Sequence, residues 1–200
     1  MIRPLPDWTG TALGAFQVTS IHEGGRLSDR QQELVASACL VAGAVLGVAG
    51  TFAPSSALRG LAWGIDGVAL VVAVALLAAH FIRTGQNMAA AGFLVFLAAE
   101  TLIVSGSAMD LVASAPVFGA GAGLWAAALT LISASAVYNK VVRGLGFVAA
   151  ILLATTAVQI FVGRTLTPLS KPLPFFAFPF LAATLVGWAW HHRGPMRATR

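Results

Sequence analysis

One carboxylate, Glu100, stands inside the apolar run FLVFLAAETLIVSGSAMD (93–110). An acid in hydrocarbon is costly, about 2.5–3.5 kcal/mol at a helix centre on insertion scales, and such residues face a bundle interior or a water-filled cavity. The chemistry open to it there is proton exchange or cation binding. Two further polar side chains interrupt other apolar runs: Asp66 in GLAWGIDGVAL (60–70) and Gln159 in ATTAVQIFVG (154–163). Counting about 1.5 Å per helical residue from the ends of the runs places all three in the same half of a bilayer. Ser107 follows Glu100 by two helical turns on nearly the same face, and Ser105 and Asp110 carry the polar line to the surface. No Lys or Arg is expected at that depth. The expected site is therefore Glu100, Asp66, Gln159, Ser107 and Asp110, binding or passing a small solute or cation. The competing reading is a neutral Glu100 hydrogen-bonded to another helix, which gives packing specificity and no turnover.

A second polar group gathers at the opposite face. His80, Arg83, Gln86 and Asn87 end one run, Tyr138, Asn139 and Lys140 a second, and His191 and His192 a third. His80 and His191 fall at similar depth, and two facing histidines are what a haem, metal or quinone site would use. The expectation is instead interfacial residues solvated by headgroups, with His192-Arg193 an ordinary polar helix end. No metal and no cofactor is therefore expected. The single cysteine, Cys39, excludes an internal disulfide and a CxxC redox pair.

These side chains need elements to hold them. The chain is 58% hydrophobic and 10% charged, with mean hydropathy +0.86, whereas soluble domains carry roughly 25% charged residues. Lipid is the solvent for most of it. Six apolar runs, at 34–53, 61–82, 88–108, 116–138, 144–163 and 174–191, are each near the roughly 20 residues that cross a bilayer. Backbone groups in lipid must be satisfied within their own segment, so the runs are helices. Ser28 and Gln31 in SDRQ predict a capping box at the first helix. The predicted fold is all-α: an integral membrane bundle of six transmembrane helices over 28–192, with tails at 1–27 and 193–200. MIRPLPDW lacks the apolar run of a signal peptide, so the N-terminus is expected to be mature.

The net charge of +5 reads as topology, and no nucleic acid is expected. With six alternating helices, Arg3, Arg26, Arg30, Arg83, Lys140, Arg143, Arg193, Arg197 and Arg200 share one side, against Arg59, Arg164 and Lys171 on the other. That asymmetry places both termini and both tails in the cytoplasm. Trp188, Trp190 and Tyr138 then form a cytoplasmic aromatic belt, with Trp63 near the outer interface. Gly43 and Gly47, and Gly119 and Gly123, have the GxxxG spacing that lets helices approach. Packing within the bundle is the first use expected of them; a homo-oligomer seam or a face for other membrane subunits is the second. Pro179 is expected to kink the sixth helix or weaken its outer turn.

The run GAGLWAAALTLISASAVYNKVVRGLGFVAAILL (121–153) resembles a pattern common to small bacterial polytopic membrane proteins of unknown function: a Gly-rich helix with Leu-Trp, a short basic turn, then Leu-Gly opening the next helix. The resemblance implies a fold type and carries no activity. Together with the abundance of Ala, Gly and Val, it implies a multi-pass protein of a bacterial inner membrane. No catalytic set is visible, so an enzyme is not expected. An accessory or scaffold subunit of a membrane complex is the alternative to solute binding, and a membrane enzyme or haem- or quinone-binding protein using the cytoplasmic histidines is the third reading.

Overall fold

The computed structural model describes residues 28–107 and 109–193. The tails expected at 1–27 and beyond Arg193 lie outside the described residues. The described chain is helical throughout, with α1 Asp29–Thr51, α2 Ser56–Arg83, α3 Asn87–Ser107, α4 Ala115–Ala134, α5 Lys140–Phe161 and α6 Ala177–Arg193. Five of these, α1 to α5, are long and apolar enough to cross a membrane.

Local chemistry sets the boundaries. Ser28 and Gln31 form the expected capping box on α1, with Gln31 Oε1 accepting from the Ser28 amide at 2.8 Å. The Ser55 hydroxyl caps α2 and the Asn139 side chain caps α5. The Asn139 cap starts α5 at Lys140, so KVVRG is helix rather than loop. The α4 end, expected near 138, falls at Ala134, where the Arg143 Nε donates to the Ser133 carbonyl at 2.6 Å. A cation at a helix C-terminus answers both the unpaired carbonyls and the helix dipole. Gly85, at φ 73°, makes the tight α2–α3 turn in a region that disfavours residues with a Cβ.

α6 departs most from expectation. It begins at Ala177 rather than 174 and has 17 residues, about 25 Å of helix. Pro179 therefore sits in its first turn, where an absent N–H breaks no helical bond; of the two effects expected of it, a kink or a weakened outer turn, the late start at Ala177 matches the second.

Short connections join α1 through α5, and a longer one over 162–176 leads to α6. Each helix packs on its chain neighbours, and α6 returns to α1, closing a ring; among the described residues no pair across the ring comes into close backbone contact. Side chains fill the centre. Phe81 stacks on Phe93 at 5.4 Å, and Trp188 meets Phe93 at 5.0 Å and Phe96 at 5.8 Å. Trp188 is 1% exposed and Tyr138 4%, so neither belongs to an interfacial belt; Trp190, at 77% exposed, does face outward. The reason is helical phase: Trp188 shares the inward stripe of Leu181 and Leu185.

The outer surface is apolar. Val68, Val141, Ile151 and Phe161 are 60%, 72%, 65% and 66% exposed. Polar groups inside and aliphatic groups outside fit a helical bundle in contact with lipid.

Candidate functional site

α2 presents one inward stripe, through Gly67, Leu70, Val74, Leu77 and Phe81. Asp66 lies at the edge of that stripe, pointing towards α1. Gly43 and Gly47 of α1 make room for it: a Cβ on Gly47 would come within 2.9 Å of the Asp66 Oδ2, and one on Gly43 within 3.1 Å of Oδ1. α3 presents Phe93, Phe96, Glu100 and Ile103 inward. Glu100 is 1% exposed, and its Oε1 accepts a hydrogen bond from the Trp125 Nε1 of α4 at 2.9 Å.

Both carboxylates line one cavity of about 110 Å³, bounded by α1, α2, α3, α4 and α6. That is well above the ~10–15 Å³ a single water needs. Met109, Leu111 and Pro168, from the α3–α4 and α5–α6 connections, line the end nearest the surface, and Leu185 lies deep. The Asp66 Oδ1 is buried without a hydrogen-bond partner, and no Lys, Arg or His lines the cavity among the described residues. An unanswered buried acceptor beside a second acid is a site short of positive charge or of hydrogen-bond donors.

The structure brings Glu100, Asp66 and Ser107 together and leaves two expected members out. Gln159 lies outside the cavity lining and accepts from Arg164 at 3.3 Å. The difference is one of rotation: the inward positions of α5 are Thr156, Ala157 and Ile160. Asp110 is spent on the α3–α4 turn, its Oδ1 accepting from the amides of Val112 and Ala113, an Asx-type arrangement. Ser107 lines the cavity, with its hydroxyl donating to the Val104 carbonyl.

Trp125 was not anticipated as a partner for Glu100, although a signal was present. A Trp at mid-span rather than at an interface needs an acceptor for its indole N–H. Trp63 joins the wall and donates to the Gly47 carbonyl at 3.2 Å.

The glycine faces are filled within the chain. Gly43 meets Leu70, Gly50 meets Trp63, and Gly119 and Gly123 face Ile160 and Ala157. The Gly43, Gly47, Gly119 and Gly123 positions therefore serve packing within the bundle.

At the other end the inward histidine of α6 is His192, not His191. His192 is buried and His191 exposed, because His192 continues the Leu181–Leu185–Trp188 stripe. The His192 and His80 rings lie 5.7 Å apart, and the His80 Nδ1 is 3.6 Å from Glu33 Oε1. The Tyr138 hydroxyl is 3.2 Å from His192 Nε2; burial pushes the Tyr138 phenol well above its ordinary range, so it remains a neutral hydroxyl. Compared with family profiles, curated proteins and solved structures, the chain matches none.

Proposed function

We propose that this chain is a multi-pass membrane protein that binds a small cationic solute between Asp66 and Glu100. The observation that carries this reading is the pair of carboxylates sharing a cavity that no basic residue lines among the described residues, with Asp66 Oδ1 unpartnered. A cation entering the cavity supplies the compensation the two acids lack, and the indole N–H of Trp125 holds Glu100 in place to receive it. The aliphatic and aromatic remainder of the wall suits an organic cation with an apolar body, as ligand pockets commonly combine apolar lining with few polar anchors. By the asymmetry of Lys and Arg, both termini face the cytoplasm and the cavity opens to the opposite side. A bacterial inner membrane is the setting that the composition favours. Passage of the solute would require the aromatic packing around Trp188 to part.

Trp63 and Trp125 line the cavity, so their fluorescence provides the test. Tetramethylammonium and guanidinium, titrated into the detergent-solubilised protein, are expected to give saturable changes that neutral isosteres of equal size do not. Asp66→Asn and Glu100→Gln should each weaken or remove the response. Equal responses to cations and neutral isosteres would refute the reading.

A further inference from the structure

We propose that Glu33, His80 and His192 form a binding site for a first-row divalent metal of the zinc type, at the end of the bundle opposite the acidic cavity. The three come from three helices: Glu33 from the early turns of α1, His80 from the last turn of α2 and His192 from the last turn of α6. The ring closure of α6 on α1, beside the α1–α2 contact, is what brings them to one place. Each offers one ligand atom, and the three atoms lie within 4.8 Å of one another.

The donor set decides the class of ion. Two imidazoles and one carboxylate suit zinc and its first-row neighbours, whereas calcium and magnesium take oxygen ligands. Bonds of about 2.0–2.2 Å to a tetrahedral ion hold ligand atoms roughly 3.3 Å apart. The His80–Glu33 separation of 3.6 Å is already near that value, and the His192 ligand atom lies within 4.8 Å of both. Three protein ligands leave one position for water or a further ligand.

The surroundings support the same assignment. Tyr138 hydrogen-bonds the His192 ring, the kind of outer partner that orients a ligating histidine. Arg83 is engaged by Gln32 at 2.8 Å and Asp29 at 3.4 Å, so neither contact draws on Glu33. Haem fits poorly, because Phe81, Tyr138 and His191 pack their rings around His192 at 5.8, 6.0 and 5.3 Å and occupy the space a porphyrin needs.

The experiment is a cobalt titration of the full chain in detergent, stripped with chelator and carrying no histidine tag. One equivalent of Co²⁺ is expected to bind with a ligand-field absorption band, and Zn²⁺ should displace it. His80→Gln and Glu33→Gln, both at half-buried positions, should remove the band while leaving the helical circular dichroism unchanged; His192→Gln should do the same if it folds. His191→Gln should keep the band, and Tyr138→Phe should weaken affinity by about 10–100-fold. Absence of stoichiometric binding, or a band that survives both His80→Gln and Glu33→Gln, would overturn the assignment.

Discussion

At the loop-rich end of the ring, Asp66 and Glu100 share a cavity that no basic residue lines among the described residues; at the basic end, Glu33 meets His80 and His192, and a buried tyrosine hydroxyl meets His192. Between them lie Phe81, Phe93, Phe96 and Trp188, each 2% exposed or less. The same physical problem, an ionisable group removed from water, is handled in two ways. The basic end groups donors and acceptors tightly, so each side chain has a neighbour of suitable chemistry. The acidic end leaves an acceptor without a partner beside open volume. The basic end gathers mixed ligand atoms that a metal ion can bridge, whereas the acidic end sets an unpartnered acceptor and a second acid before open volume, an arrangement suited to a cationic solute.

The aromatic layer is what keeps these ends separate, and removing it should have the largest effect. Trp188→Ala deletes a side chain that touches Phe93, Phe96 and Tyr138. A loss of about 3–5 kcal/mol is expected for such a truncation, read by denaturant titration in mixed micelles. A loss below 1 kcal/mol, on the scale of a surface change, would mean the layer is loosely packed and the two ends are not isolated.

A smaller effect sharpens the acidic side of the comparison. Trp125→Phe keeps an aromatic ring but removes the N–H that Glu100 accepts, leaving a second unpartnered carboxylate oxygen in the cavity. The cost expected for an orphaned buried acceptor is about 1–3 kcal/mol. Gln159→Ala, outside the cavity, is the control and should stay within about 0.5 kcal/mol. Equal costs would mean that the indole hydrogen bond contributes nothing distinctive to the site.

Position along the helices was legible in the sequence and rotation was not. Six runs separated by Pro, Gly and charged turns mark where helices start and stop, and counting from their ends grouped Asp66 with Glu100, which line one cavity. The same count grouped Gln159 with them, because it carries no information about which way a side chain points. In a soluble helix the polar face supplies that phase; here α5 and α6 are apolar on nearly every side, so the usual amphipathic signal is absent. Where a stripe of bulky residues existed it could have been used. Leu181, Leu185, Trp188 and His192 recur at helical spacing, which marks His192 as inward and His191 as outward. The ring closure of α6 on α1, which brings His192 to Glu33, has no local signature at all, because it depends on packing between the two ends of the chain.

The claim that the loop-rich cavity is built for positive charge can be measured without knowing its ligand. Ser107 lines the cavity and is itself exposed. In a Cys39→Ala background, Ser107→Cys would be reacted with two methanethiosulfonates of similar size, one carrying a trimethylammonium group and one a sulfonate. With each rate normalised to that of a free thiol at mildly alkaline pH, the cationic reagent is expected to react faster by about tenfold or more, as acidic clefts concentrate counter-ions. Adding Asp66→Asn and Glu100→Gln should abolish that preference. An equal ratio for the two reagents with both carboxylates in place, or a preference that persists without them, would contradict a cation-binding role for Asp66 and Glu100.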